Sequence, residues 1–94
     1  MKIKAIVWLP EIIEKLETKH GVIVEEVEEV FELKPLLPRG QRGKRKGEHL
    51  YQAFGQTFAG RYLFVVFIYK LDQRILILSA RDMDEGERRL YRRR

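Results

Sequence analysis

"RYLFVVFIYKLDQRILILSA", residues 61–80, decides the fold. Two runs rich in β-branched and aromatic residues flank the short polar stretch KLDQ, the pattern of adjacent strands joined by a turn. Arg61 to Tyr69 is the most hydrophobic part of the chain and reads as a central strand, covered on both faces or nearly so. Arg74 to Ala80 reads as its neighbour. Just upstream, His49 to Gln56 reads as a third strand that turns back at TFAG, residues 57–60. Three consecutive strands with short connections favour an antiparallel meander.

Outward toward the N-terminus, Lys2 to Trp8 alternates and then turns apolar, as a strand does. Pro10 suits the first turn of a helix that carries Ile12, Ile13 and Leu16 inward. Gly21, directly after Lys19 and His20, is a stop signal: glycine accepts the left-handed position, and cations sit well against the last carbonyls. A second helix is expected from Val24 to Glu32, with Val24, Val27, Val30 and Phe31 on one face and glutamates over much of the rest. Pro35 and Pro38 cannot continue it, and Leu36–Leu37 between them suit a short edge strand. At the other end, Asp82 or Asp84 caps a closing helix that carries Leu90 and Tyr91. The expected class is α+β. One twisted, mainly antiparallel sheet packs two N-terminal helices on one face and adds a short C-terminal helix.

Ninety-four residues make a single domain, residues 1–94, with no room for a second core. At 45% hydrophobic the chain can bury a core, and at 35% charged it keeps a strongly charged surface. With no cysteine, disulfides and thiolate metal sites are excluded. The N-terminus lacks a small-residue cleavage site, and no apolar run approaches the ~20 residues of a membrane span. A soluble, cytoplasmic protein without membrane contact is expected. The net charge of +5 conceals a segregation. Residues 11–32 hold eight Glu against two Lys, while the rest holds seventeen cations against six acids. One acidic and one basic face follow, and the basic one suits nucleic acid.

The densest basic stretch is "RGQRGKRKGEHLY", residues 39–51. Phosphate-binding loops, nucleotide-binding glycine fingerprints, nucleophile elbows and histidine pairs at metal spacing are all absent, so no metal and no cofactor is expected. What remains is Lys, Arg, Glu, His and Tyr, which suffice to cleave RNA without a metal. A base takes the 2′-hydroxyl proton, cations hold charge on phosphorus, and an acid protonates the leaving 5′-oxygen. Candidates for proton transfer are Glu48, His20, Lys19, His49 and Tyr51; arginine is the best charge stabiliser. Each has a plainer reading. A helix end accounts for Lys19 and His20, a strand start for Glu48 and His49, and strand packing for Tyr51; Arg81 can pair with Asp82 or Asp84. The five arginines from Arg88 to Arg94 are either a frayed tail or phosphate contacts.

Taken in order, several pieces resemble the BrnT-type ribonuclease toxins of bacterial toxin–antitoxin pairs. They are Trp8 thirteen residues before Gly21, KHGV at 19–22, EEVEEVF ending at Phe31, GEHLY at 47–51, and Phe54–Gly55. GRYLFVVF from Gly60, SAR at 79–81 and ERRLY ending at Tyr91 complete the series. The resemblance implies a RelE-like fold and a toxin that cuts RNA and is neutralised by a cognate antitoxin; it allows a homodimer. It carries roles onto Lys19, His20, Glu48, Tyr51, Arg81, Arg61 and Tyr91. On chemistry, catalysis falls to Glu48, His20, Arg81 and Tyr51, and contacts to RNA to Lys19, His49, Arg61 and Arg88, with Arg42, Lys44, Arg45 and Lys46 of the basic loop as a flap over phosphates. A non-catalytic module that binds nucleic acid or protein on the same surface is the alternative. The chain departs from the family pattern at Leu9, Ile12 and Leu16, where Asp, Lys and Asn are usual. It also carries ELKPLLPRGQRGKRKG in place of an acidic loop with a histidine.

Overall fold

The computed structural model describes residues 1–38 and 48–94, with Glu48 described in its backbone alone. Strand β1 (Ala5–Val7) leads into helix α1 (Pro10–Lys15), which continues as a π-helical turn at Leu16–His20. Helix α2 (Val24–Glu32) follows, then strands β2 (Glu48–Gln56), β3 (Tyr62–Lys70) and β4 (Arg74–Asp82), and helix α3 (Glu85–Arg92). The sheet order is β1-β4-β3-β2. Strands β2, β3 and β4 form the expected antiparallel meander, and β1 joins the far edge parallel to β4, which makes the sheet mixed.

The helix boundaries follow local chemistry. Pro10 opens α1, where its missing N–H costs nothing. Gly21 ends the π turn at φ 62°, the left-handed conformation its lack of Cβ permits. Asp84, not Asp82, caps α3: its carboxylate accepts from the Glu87 N–H at 2.7 Å, while the Asp84 N–H donates back to Glu87 at 2.9 Å. Leu36 makes only a single bridge, to Phe54, because the flanking Pro35 and Pro38 have no N–H to extend a ladder.

The core lies between the sheet and the N-terminal helices. Leu16, Val22, Val27 and Val30 meet alternate strand residues, among them Ala53, Leu63, Val65 and Phe67. Gly55 lets α2 lie close, since a Cβ there would stand 2.7 Å from Val30 Cγ1. In β4 the pairing shifts at Leu78: Ile77 opposes Phe67 but Ser79 opposes Val66. This bulge lets Ile75, Ile77 and Ala80 all face the core, and it reverses every side chain beyond it. Arg81 therefore leaves the helix face, and Asp82 points toward it.

Strand β3 is buried on the helix face and half-buried on the other, against an expected cover on both faces or nearly so. Helix α3 is eight residues long and rests over the Tyr62 end, Tyr91 meeting the Tyr62 ring edge-on at 5.9 Å. Among the described residues, no helix is long and apolar enough to cross a membrane.

Candidate nucleic-acid interface

The end of the sheet where β3 begins and β4 finishes is held by Arg61. Its Nε donates to Asp82 Oδ1 at 2.7 Å and Nη2 to Asp82 Oδ2 at 3.1 Å, a two-pronged pair. Nη1 donates to Glu26 Oε1 at 3.1 Å and to the Gly21 carbonyl at 2.9 Å, and Nη2 reaches the His20 carbonyl at 3.0 Å. Those two carbonyls belong to a helix terminus, whose orphan acceptors and partial negative charge attract a cation. One guanidinium thus joins the π turn, α2 and β4. With these acceptors all its N–H groups face protein, which leaves none for a phosphate. The expected RNA contact at Arg61 is, as placed, a structural clamp.

The clamp sets the local electrostatics. Asp82's hydrogen bonds to Arg61 hold its carboxyl below the usual range, with Arg88 and His20 adding attraction at longer reach. Arg61 is in turn raised above its ordinary value, first by Asp82. Arg88 of α3 lies over the ring of the adjacent Tyr62, and Arg61 brings the His20 carbonyl of the π turn to Asp82 of β4. Lys19, next to His20, is exposed there.

Arg81 occupies the opposite face. Its Nη1 and Nη2 donate to the two oxygens of Glu87 at 2.8 and 2.9 Å, and Nη1 also bonds the Asp82 carbonyl at 2.9 Å. Glu87 is held below the ordinary carboxylate range, chiefly by this pair. The guanidinium lies 4.3 Å from the Phe64 ring centroid. Nε and one N–H of Nη2 find no acceptor among the described residues. Two further arginines repeat the pattern on this face: Arg88 at 5.5 Å from Tyr62 and Arg94 at 3.8 Å from Tyr91.

Tyr51 and His49 lie at the other end of the helix face. Tyr51 stacks on Phe67 at 5.7 Å, with Tyr69 and His49 edge-on at 6.1 and 6.3 Å. Arg42, Lys44, Arg45 and Lys46 lie outside the described residues, as does the Glu48 side chain. The backbone of Glu48 still fixes its place. It pairs with Lys70, whereas Arg81 pairs with Phe64 and through it with Phe54. Six residues of strand separate Phe54 from Glu48, about 20 Å. The backbone of Glu48 therefore stands far along the sheet from Arg81, and Tyr51 and Arg81 lie on opposite faces. Lys19 and His20 lie at the Arg61 end, while Arg88 and Arg81 lie over Tyr62 and Phe64 on the other face of the sheet.

Sequence reading missed the carboxylates that organise this region: it gives Glu26 and Glu87 no pairing, and takes Asp82 as a cap or an Arg81 partner where the fold pairs it with Arg61. The S/T/D-x-x-E spacing of Asp84 and Glu87 was a usable signal for the capping box; nothing local pairs Glu26 with Arg61. Among the described residues, no group of His, Asp and Glu is placed to hold a metal ion.

An arginine-rich surface backed by aromatic rings, on a small mixed sheet, is the kind of surface that suits a polyanion. The family is specific: residues 8–87 match the model of the ribonuclease toxin BrnT of type II toxin–antitoxin systems, and the chain belongs to that family. None of the curated proteins compared with it matches the chain. Of the three positions expected to depart from the family pattern, Leu16 is fully buried and Ile12 lies against the core, while Leu9 stays exposed.

Proposed function

We propose that this protein is a metal-independent endoribonuclease toxin whose RNA crosses the rim at the Arg61 end of the sheet. His20 takes the proton from the attacking 2′-hydroxyl as the 2′-oxygen–phosphorus bond forms. It returns a proton to the 5′-oxygen as the phosphorus–5′-oxygen bond breaks, leaving a 2′,3′-cyclic phosphate and a free 5′-hydroxyl. Lys19 and Arg88 hold the charge on phosphorus, and Arg61 with Asp82 positions His20 through its carbonyl. The observation that carries this reading is that Arg61 ties the His20 carbonyl of the π turn to Asp82 of β4, with Arg88 of α3 over the ring of the adjacent Tyr62. Arg81 is a reserve cation whose paired donors become available once Glu87 lets go. The antitoxin named in the family description is the partner expected for such a toxin.

The direct test is cleavage of a long unstructured RNA in EDTA. Wild-type cleavage that falls at least ~100-fold in His20→Gln, with RNA affinity kept, supports His20 as the acid–base group. A second reading has its own support. Arg81 and Arg61 are both committed to carboxylates and the shortlisted groups are dispersed, as suits a non-catalytic binder. Salt-sensitive RNA binding without cleavage by the wild type would select it.

A further inference from the structure

The three arginine–aromatic pairs of the α3 face lead to a cleft of about 450 Å³, within the ~300–1,000 Å³ usual for ligand sites. Strand β2 contributes Phe54, the segment bridged to it contributes Leu36 and Pro38, and α3 contributes Leu90 and Tyr91. These surfaces are apolar, yet Glu87, Arg93 and Arg94 complete the lining. Glu87 is already neutralised by Arg81. The arginines therefore set the field: five of them lie between Arg88 and Arg94. Arg94 is held against Tyr91, donating to its carbonyl at 2.7 Å.

A ligand for this cleft needs a flat apolar body and negative charge immediately beside it. An acidic protein segment carries these on separate residues. A nucleotide in a single strand carries both in one unit, a base with two π faces between flanking phosphates. The cleft also lies on a route from the rim. Arg88 stands one helical turn before Tyr91, over Tyr62, whose ring meets Tyr91. We infer that the cleft between α3 and the Leu36–Pro38 segment receives one unstacked base of a single-stranded RNA, with Arg93 and Arg94 on its phosphates. This rests on the RNA-cleaving reading above and extends it, because base preference then arises away from the cut phosphate.

Leu90 is 61% exposed, so Leu90→Trp can fill the cleft without emptying the core, and an unchanged melting temperature verifies this. The probes are a short single-stranded RNA carrying 2-aminopurine and the same RNA with an abasic site at that position. Wild type should quench the fluorophore, and the abasic change should weaken its binding roughly tenfold. In Leu90→Trp, quenching should vanish and the abasic change should cost nothing. Equal quenching and equal affinities in both proteins would remove the cleft from the RNA path while leaving RNA binding intact. Absence of RNA binding by wild type would overturn this inference and the proposed function together. A labelled peptide of Asp and Leu may be run in parallel. If wild type binds it, Leu90→Trp does not, and RNA binding is unchanged, the cleft is a protein-docking site and the inference fails.

Discussion

Replacing Arg61 by Met would leave Asp82 and Glu26 without their cation and the His20 and Gly21 carbonyls without a donor. A fully buried pair broken in this way costs about 3–5 kcal/mol. Here solvent reaches both sides, with side-chain exposures of 28% for Arg61 and 58% for Asp82, so about 2 kcal/mol is expected, read as a lower urea midpoint. Arg61→Lys should recover only part of it, because an ammonium cannot form the fork. The acid side carries a second signature. Asp82 is held below its ordinary 3.8, first by its hydrogen bonds to Arg61. A depressed carboxylate stabilises the fold fully above its unfolded value, and that contribution is lost as pH falls through the folded one. Arg61→Met should flatten this acid-side slope and keep the part due to Glu87, depressed below 4.5 by Arg81. An unchanged slope would show that Asp82 has no such role. At this scale the sequence told only half the story. Arg61, Arg81 and His20 stood out as functional types, but Glu26 lies 35 residues from Arg61 and Asp82 lies 21 away. Pairings over such separations depend on register, which no local pattern carries.

Between elements, α2 lies close on β2 at Gly55. Adding a methyl there places it 2.7 Å from Val30 Cγ1 and 3.2 Å from Pro35 Cβ, so something must move. Gly55→Ala should cost about 1–3 kcal/mol as an overpacking defect. The double variant with Val30→Ala should lose less than the two single changes summed, because the second removes the clashing methyl. Additive losses in thermal melts would place the strain elsewhere. Asp84→Ala tests a second join: it should cost about 1 kcal/mol by uncapping α3. Element positions were largely legible, since prolines, Gly21 and the two hydrophobic periods mark them. Helix α2 spans the expected residues, and β2, β3 and β4 each fall within two residues of expectation at either end. The bulge at Leu78 was not legible, because leucine suits either face of a strand. That single extra residue moved Arg81 from the helix face to the α3 face. It therefore altered the site far more than the secondary structure.

Across the whole molecule, the charge segregation visible in the sequence survives folding in a modified form. Much of the acidic α2 surface is solvated, yet Glu26 and Glu29 reach the sheet's end, bonding Arg61 and the Phe58 N–H. Among the described residues the cations gather instead on α3 and its continuation, where Arg89, Arg92 and Arg93 are exposed. Exposed arginines without a carboxylate fork are the ones able to release counterions from RNA, which makes salt dependence the sharpest test of where RNA lies. For a single strand, the logarithm of affinity falls with the logarithm of salt by about 0.7 per phosphate neutralised. Changing Arg89, Arg92 and Arg93 together to Gln should lower that slope by about 2 and weaken binding most at low salt. Arg61→Gln should leave the slope nearly unchanged wherever the fold holds, since its donors are already spent on protein. A slope that ignores the three α3 arginines but falls with Arg61 would move the RNA to the helix face and reverse the assignment of clamp and contact.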